Sequence, residues 1–318
     1  MHRTTMPIKI KNISEFRKTL CAVPWMHLAF EPSGKVIPCC LTSTHNYFAG
    51  DLNTQSIEEI WNSDSMKSVR KDMIEGIEPK ICNKCFDQER VTGESGRVHH
   101  ARDFPDVLKE IPKITQPDGT CDTMELKYWD FRFSNLCNFK CRSCGPRYSS
   151  TWVPDAKKLG WIDEQDKVWN IASVDDLTNF DFLKEQVDHV EKIYFAGGEP
   201  LMDPQHYKIL DMLKPYGANI ELKYATNGTT MGISKGRTIH DYWPHFRSIA
   251  VNVSLDGIHD VYNYIRGNAD FTQVEANIKE IKKISNVSRV VGAFTAQAGN
   301  ILQAAECIDY FINKMDIV

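Results

Sequence analysis

A chain of 318 residues is long enough for one large α/β domain with a smaller companion, and its 42% hydrophobic and 25% charged content is ordinary for a globular protein. The net charge of −4 and pI near 6.2 exclude a broad electrostatic grip on nucleic acid, leaving room only for a small local basic patch. No apolar run approaches the roughly 18 residues of a membrane helix, and the opening MHRTTMPIKIKNIS lacks the apolar core of a secretory signal, so a cytoplasmic protein with no membrane partner is expected.

Residues 1–120 are rich in turns and cysteines. "WMHLAFEPSGKVIPCC" (25–40) predicts a β-hairpin around Pro-Ser-Gly whose second strand delivers Cys39 and Cys40. "SIEEIWNSDSMKSVRKDMIEG" predicts helix, with a capping box between Ser56 and Glu59, a break over Asn62 to Ser65, and Gly76 as the C-terminal stop. Cys82 and Cys85 follow in a loop. The glycines and prolines between 93 and 120 predict a linker, with His99 and His100 solvated in it.

From Met124 the pattern becomes strand–helix alternation. "MELKYWDFRFS", "KIYFAGGEP", "NIELKYATNGT", "SIAVNVSLDG" and "SRVVGAFTA" are strand-like, and helical segments between them imply parallel βα units. A helical insertion is expected over about 148–190. The last residues, FINKMDIV, stand where a sixth strand would begin. The expected architecture is therefore α/β: a partial (βα)n, TIM-like barrel of about five to six parallel strands over 121–318, preceded by a small cysteine-rich α+β domain over 1–120.

Ten cysteines in a reducing compartment, several closely spaced, point to metal and not to disulfides. Cys121 and Cys307 stand apart and read as packing residues. Cys137, Cys141 and Cys144, in "LCNFKCRSCGP", have the spacing C-x3-C-x2-C with no fourth cysteine nearby. Three thiolates on an iron–sulfur cubane leave one iron open, and an open metal position means chemistry. Spacing alone also permits a zinc site closed by a distant histidine or cysteine. The loop directly follows the first strand of the βα series, where active sites of such folds lie.

These cysteines, "GGEP" after the second strand and "SLDG" after the fourth resemble the radical S-adenosylmethionine (SAM) superfamily, in the family's order and across residues 124–300. The resemblance implies that Cys137, Cys141 and Cys144 hold a [4Fe–4S] cluster whose open iron chelates SAM. It also implies reductive cleavage of SAM to a 5′-deoxyadenosyl radical that takes hydrogen from a substrate. Gly197, Gly198, Glu199 and Pro200 resemble the motif that receives the SAM amino group, the glycines admitting backbone to the ligand and the carboxylate suiting an ammonium. Ser254 and Asp256 resemble ribose and methionine contacts, with Asp256 alternatively capping the next helix. Thr226 and Asn227 end the third strand and are candidates for the same cavity. Thr295 and Phe294 are weaker candidates, and Arg266 either pairs with a carboxylate or lies on a solvated helix. The family places an aromatic residue before its third cysteine; here Ser143 stands there, and Phe139 is the candidate to shield the cluster instead.

Cys21, the Gly34-to-Cys39 interval and Cys82-x2-Cys85 resemble the twitch or SPASM auxiliary-cluster domains of radical SAM enzymes, here placed before the barrel. The implied ligands of one auxiliary [4Fe–4S] cluster are Cys21, Cys39, Cys82 and Cys85. Cys40 is the alternate to Cys39, since neighbours on a strand face opposite ways. A structural zinc site on the same four residues, with His27 or His45 able to enter, is the alternative. The functional expectation is a radical SAM enzyme acting on a peptide or protein, fed by a flavodoxin or ferredoxin. Its alternatives are a nucleotide or small-metabolite substrate, or a non-catalytic zinc-binding interaction protein.

Overall fold

The computed structural model describes residues 18–42, 47–163 and 181–317, and these form two compact units. The first comprises 18–30, 34–42, 47–130 and 181–190; the second comprises 31–33, 131–163 and 191–317. The first unit thus takes in residues 121–130, beyond the boundary read from the sequence. His45 and residues 164–180 of the anticipated helical insertion lie outside the described residues.

In the first unit the predicted hairpin is present. Strands β1 (His27–Phe30) and β2 (Lys35–Ile37) pair antiparallel in the register Ala29↔Ile37, and β3 (Gly50–Asp51) pairs antiparallel with β2. Gly34 closes the hairpin turn at φ 80°, a conformation that favours glycine. Helix α1 (Ile57–Trp61) carries the Ser56–Glu59 capping box. The chain then breaks over Asn62 and Ser63, because Ser63 caps a new helix, α2 (Asp64–Ile74), by accepting from Met66 N. Gly76 follows α2 at φ 80°.

Helix α3 (Asn83–Thr92) takes in Cys85, which was expected in a loop, and the residues expected to form a linker instead build α4 (Gly96–Asp103) and α5 (Pro105–Ile114). The punctuation was real but belongs to helix ends. Gly93 is the left-handed C-cap of α3, Ser95 caps α4 by accepting from Val98 N, and Pro105 opens α5, where its missing N–H has no cost. Val107 and Ile111 bury the inner stripe of α5.

Strand β4 (Tyr128–Phe131) is buried along its whole length. The second unit then holds β5 (Lys192–Phe195), β6 (Glu221–Thr226), a short antiparallel hairpin of β7 (Gly232–Ser234) and β8 (Arg237–Thr238), β9 (Ser248–Ser254) and β10 (Val287–Ala293). β5, β6, β9 and β10 are parallel neighbours in that order, Phe195 opposite Tyr224, Tyr224 opposite Val251 and Val251 opposite Val290. Ala196 N donates to Phe131 O at 3.0 Å, so the β4 end lies beside the β5 end. This is the parallel βα series expected of a partial barrel. The β7–β8 hairpin was not foreseen.

Helices α6 (Val153–Lys158), α7 (Asp181–Lys184), α8 (Pro204–Leu213), α9 (Ile239–Tyr242), α10 (His259–Arg266), α11 (Phe271–Ile281) and α12 (Ala304–Asn313) complete the described elements; α7 belongs to the first unit. The core of the second unit is aromatic. Phe131, Phe133 and Phe195 stack at 5.0–6.0 Å, and His206 stands edge-on to Phe195, its Nε2 2.9 Å from Tyr224 Oη. Burial pushes His206 down to about 3, so it is neutral and serves the core. The segments that follow β4, β5, β6 and β9 carry the motif residues.

Candidate active site and auxiliary metal centre

The cysteine loop leaves β4 and is held by the ends of the other strands. Gly198 N donates to Ser134 O at 3.2 Å and Glu199 N donates to Leu136 O at 2.7 Å. A Cβ on Gly198 would stand 2.2 Å from Leu136 O, so only glycine admits this approach. From the other side, Lys140 N and Arg142 N donate to Gly267 O and Ile265 O, both at 2.9 Å, tying the loop to the end of α10.

Inside this frame lies a cavity of about 190 Å³. Cys137, Cys141 and Cys144 border it together with Phe139, Ser143, Tyr148, Gly197, Gly198, Thr226, Asn227, Ser254 and Arg266. The thiols sit among donors suited to thiolate: Phe139 N and Asn227 Nδ2 approach Cys137 Sγ at 3.4 and 3.8 Å, and Arg266 Nη1 approaches Cys141 Sγ at 3.7 Å. Burial pushes the Cys137 thiol up to about 12 and raises Cys141 and Cys144. Metal binding must therefore expel these protons, which a bound metal's own charge does. Three clustered thiols with N–H donors aimed at sulfur fit a thiolate-held iron–sulfur cluster.

Two carboxylates depart from the expected geometry. Glu199 is buried and turned away from the cavity: Oε1 accepts from Thr226 Oγ1 (2.7 Å) and Leu201 N (3.1 Å), and Oε2 from Asn227 N (2.6 Å). It is a brace between the β5 and β6 ends, not an exposed partner for an ammonium, and burial pushes it up to about 7 despite these donors. Pro200 is buried beside it. Asp256 likewise neither lines the cavity nor caps α10. Its Oδ1 accepts from Thr295 N at 2.8 Å, and its Oδ2 pairs with Arg266 Nη2 at 2.7 Å. Arg266 is accordingly not a solvated helix residue; it is the cation at the cavity wall, positioned by Asp256. The Thr295 side chain is exposed, and only its backbone joins this network.

Tyr148 is a wall residue that the sequence reading missed. It brings an aromatic ring to the cavity that Ser143 cannot, and its hydroxyl donates to buried Glu31 (2.9 Å), which also pairs with Arg147 (3.0 Å). The only signal was an aromatic residue inside a loop already marked by cysteines.

In the first unit, Cys21, Cys39, Cys82 and Cys85 border one small cavity of about 30 Å³, among Val23, Met73, Ile81, Arg97 and His100. Cys40 is not on its wall. The reason is not strand alternation, because β2 ends at Ile37 and Cys39 sits in a turn where Thr42 N donates to Cys39 O. Burial pushes Cys21 and Cys82 up to about 12. Arg97 pairs with Glu89 and donates to Leu20 O at 2.8 Å. His100, expected in solvent, is at this wall with its ring 5.3 Å from Tyr128, whereas His99 is exposed and pairs with Glu94 at 3.1 Å. His27 is a buried packing residue against Tyr128. Cys121 and Cys307 are buried apart from both cavities. Among the described residues, no three His, Cys, Asp or Glu side chains converge at the separation of a single bound ion, and no helix is long and apolar enough to cross a membrane.

The family model described as the radical SAM superfamily matches residues 131–296, the span from the end of β4 past β10. The chain belongs to the radical SAM superfamily. This radical SAM protein also matches, over residues 21–86, the model of the SPASM iron-sulfur cluster-binding domain. The first match implies a [4Fe–4S] cluster and SAM; the second implies an auxiliary iron–sulfur cluster. The chain is an enzyme. Curated proteins similar to it include GTP 3′,8-cyclases of Aliarcobacter butzleri (32% identical over 105 residues, 33% of this chain and 28% of the relative) and Sulfurovum sp. (33% over 111 residues, 35% and 29%). The matched stretch spans less than a third of the length of these relatives. A solved structure of SuiB from Streptococcus suis bound to S-adenosylmethionine aligns with a TM-score of 0.42 at 15% identity, covering 80% of this chain and 54% of that one.

Proposed function

We propose that this enzyme cleaves SAM reductively and directs the resulting radical at a C–H bond of a nucleotide. The observation that carries the first part is the single cavity bordered by Cys137, Cys141, Cys144, the Gly197–Gly198 backbone, Ser254 and the Arg266 guanidinium. When bound, the cluster supplies an open iron and the electron for homolysis of the sulfonium bond. The residues do the rest. The three cysteines hold the cluster; the Gly197–Gly198 backbone at the cavity wall receives the SAM amino group; Arg266, aimed by Asp256, matches a carboxylate. Ser254, Thr226 and Asn227 offer polar contacts, Phe139 keeps water from the thiols, and Tyr148 offers the flat face for the adenine that Ser143 lacks. Cys21, Cys39, Cys82 and Cys85 hold the auxiliary cluster.

The substrate class is carried by likeness to proteins named GTP 3′,8-cyclase. The peptide substrate expected from the sequence has no such support. After anaerobic reconstitution, about eight irons per chain and dithionite-dependent 5′-deoxyadenosine are expected, with formation accelerated by nucleoside triphosphates and not by unstructured peptides. Colourless protein holding only zinc would overturn the radical reading. Stimulation by peptides alone would overturn the substrate class.

A further inference from the structure

We propose that Arg97 is a positioning residue of the auxiliary centre: its guanidinium ties the chain at Cys21 to the helix that carries Cys85, and the charge it fixes at the cavity wall raises the reduction potential of the cluster held there. This rests on the reading that Cys21, Cys39, Cys82 and Cys85 hold an iron–sulfur cluster, and it is independent of the substrate class. Cys82 is the N-cap of α3 and Cys85 lies in its first turn. One turn further on, Glu89 stands on the same side of that helix as Cys85. Glu89 accepts from Arg97 Nε at 2.9 Å and from Arg97 Nη2, and from Ser95 Oγ at 2.5 Å. Arg97 Nη1 donates at 2.8 Å to the carbonyl of Leu20, the residue before Cys21. All three guanidinium nitrogens are thus engaged, in a planar fork that lysine lacks.

The pair is asymmetric toward the thiols: Arg97 borders the four-cysteine cavity and Glu89 does not. The two side chains are only 12% and 16% exposed, so solvent and salt screen them less than a surface pair. The Phe86 ring, 4.9 Å from the guanidinium, covers it further. Burial pushes Cys21 and Cys82 up to about 12, and Arg97 is the cation that acts against it at both. Asp72, on α2, acts on Cys82 with the opposite sign. Helix α4 adds to the positive side. It opens at Gly96, where a Cβ would stand 3.8 Å from Cys85 Sγ, so the positive end of the helix lies at this thiol. Reduction makes a thiolate-held cluster more negative by one charge. A fixed cation at its wall therefore stabilises the reduced form more than the oxidised one. A residue that only held the fold together would not need its cationic partner to be the one facing sulfur.

The test uses the full chain carrying Cys137→Ala, Cys141→Ala and Cys144→Ala, so that iron taken up on anaerobic reconstitution belongs to the auxiliary centre. The reduction potential is read by a mediated dithionite titration followed by electron paramagnetic resonance; dithionite gives one electron to the cluster, and no bond or proton moves. The melting temperature of the metal-free protein is measured alongside. In this background Arg97→Gln should shift the reduction equilibrium against the reduced form about tenfold, which is about 59 mV for one electron. Glu89→Gln should shift it the other way by a similar factor, since Arg97 then lacks its counter-charge. Arg97→Lys keeps the charge without the fork, so the potential should stay near that of the background while the metal-free protein melts several degrees lower. Arg90→Gln, on the same helix but 57% exposed and outside the cavity, should change neither reading. The proposal is overturned if the cluster assembles and its potential is unchanged in Arg97→Gln and Glu89→Gln, or moves the same way in both; the auxiliary-cluster reading would then stand. If Arg97→Gln holds no iron, the upward shift of Glu89→Gln sustains the proposal and its absence overturns it. Background protein that takes up zinc and no iron overturns the auxiliary-cluster reading, and the proposal with it.

Discussion

Gly198→Ala separates a packing requirement from a merely local turn preference. Its Cβ would stand 2.2 Å from Leu136 O, 2.8 Å from Leu136 C and 2.9 Å from Asn135 C. These are backbone atoms, so no side-chain rotation relieves them. Restoring contacts of about 3.4 Å requires the cysteine loop to move by roughly 1 Å, an overpacking cost of about 1–3 kcal/mol. Because Glu199 N and Gly198 N bond this same stretch, the shift is transmitted to Cys137, and a displacement of about 1 Å at a reacting centre costs on the order of 100-fold in rate. Gly145→Ala is the control, since a Cβ there meets nothing within 4 Å although the residue adjoins Cys144. The assay is iron content, melting temperature and dithionite-driven 5′-deoxyadenosine formation for both variants. Gly198→Ala should melt several degrees lower and lose about two orders of magnitude in rate, with Gly145→Ala near wild type. Equal behaviour of the two variants would refute the reasoning.

Asp256→Asn keeps the shape of the side chain but removes the charge facing Arg266 at 2.7 Å; breaking a buried pair of this kind costs about 3–5 kcal/mol. With Arg266 released, the KM for SAM should rise at least about tenfold while the iron content holds. For Glu199, the folded pKa of about 7 lies above the ordinary carboxyl value, so the folded state binds the extra proton. Its contribution is fully present below about pH 4.5 and is lost as pH rises to about 7, up to about 3 kcal/mol. Urea melts of metal-free wild type between pH 5 and 8 should therefore fall relative to Glu199→Gln up to about pH 7 and run parallel above it; a constant difference contradicts the assignment. Cys39→Ala should lower the iron content from about eight to about four with loss of the auxiliary cluster's spectrum, whereas Cys40→Ala should retain both, because only Cys39 is on that cavity's wall.

What was legible in the sequence was chemistry that depends on neighbours along the chain. The C-x3-C-x2-C run, the paired glycines after a strand, the Ser56–Glu59 cap and the Ser63 helix break each rest on a few consecutive residues. Backbone conformation and ligand spacing are local properties, and local properties survive without the fold. The same locality misled at 93–120, where Gly93, Ser95 and Pro105 truly mark ends; whether ends bound helices or a linker depends on whether the stripe between them is buried, as Val107 and Ile111 are.

The roles of the charged residues were decided by the tertiary structure. Glu199 follows β5, Asp256 follows β9 and Arg266 ends α10, and a buried charge is defined by what lies across from it. Glu199 meets donors from the β6 end and becomes a brace. Asp256 meets Arg266 and becomes its aim. Arg266 is thereby turned toward Cys141 and the cavity. Tyr148 is at the wall because Glu31, 117 positions away in sequence, accepts its hydroxyl. The sequence by itself determined that thiols and glycines would meet at strand ends, since those are the groups a cluster and a close backbone approach require. Which acids and cations would face that meeting point was settled only by folding, because desolvation and pairing are properties of the assembled interior and not of any stretch of chain.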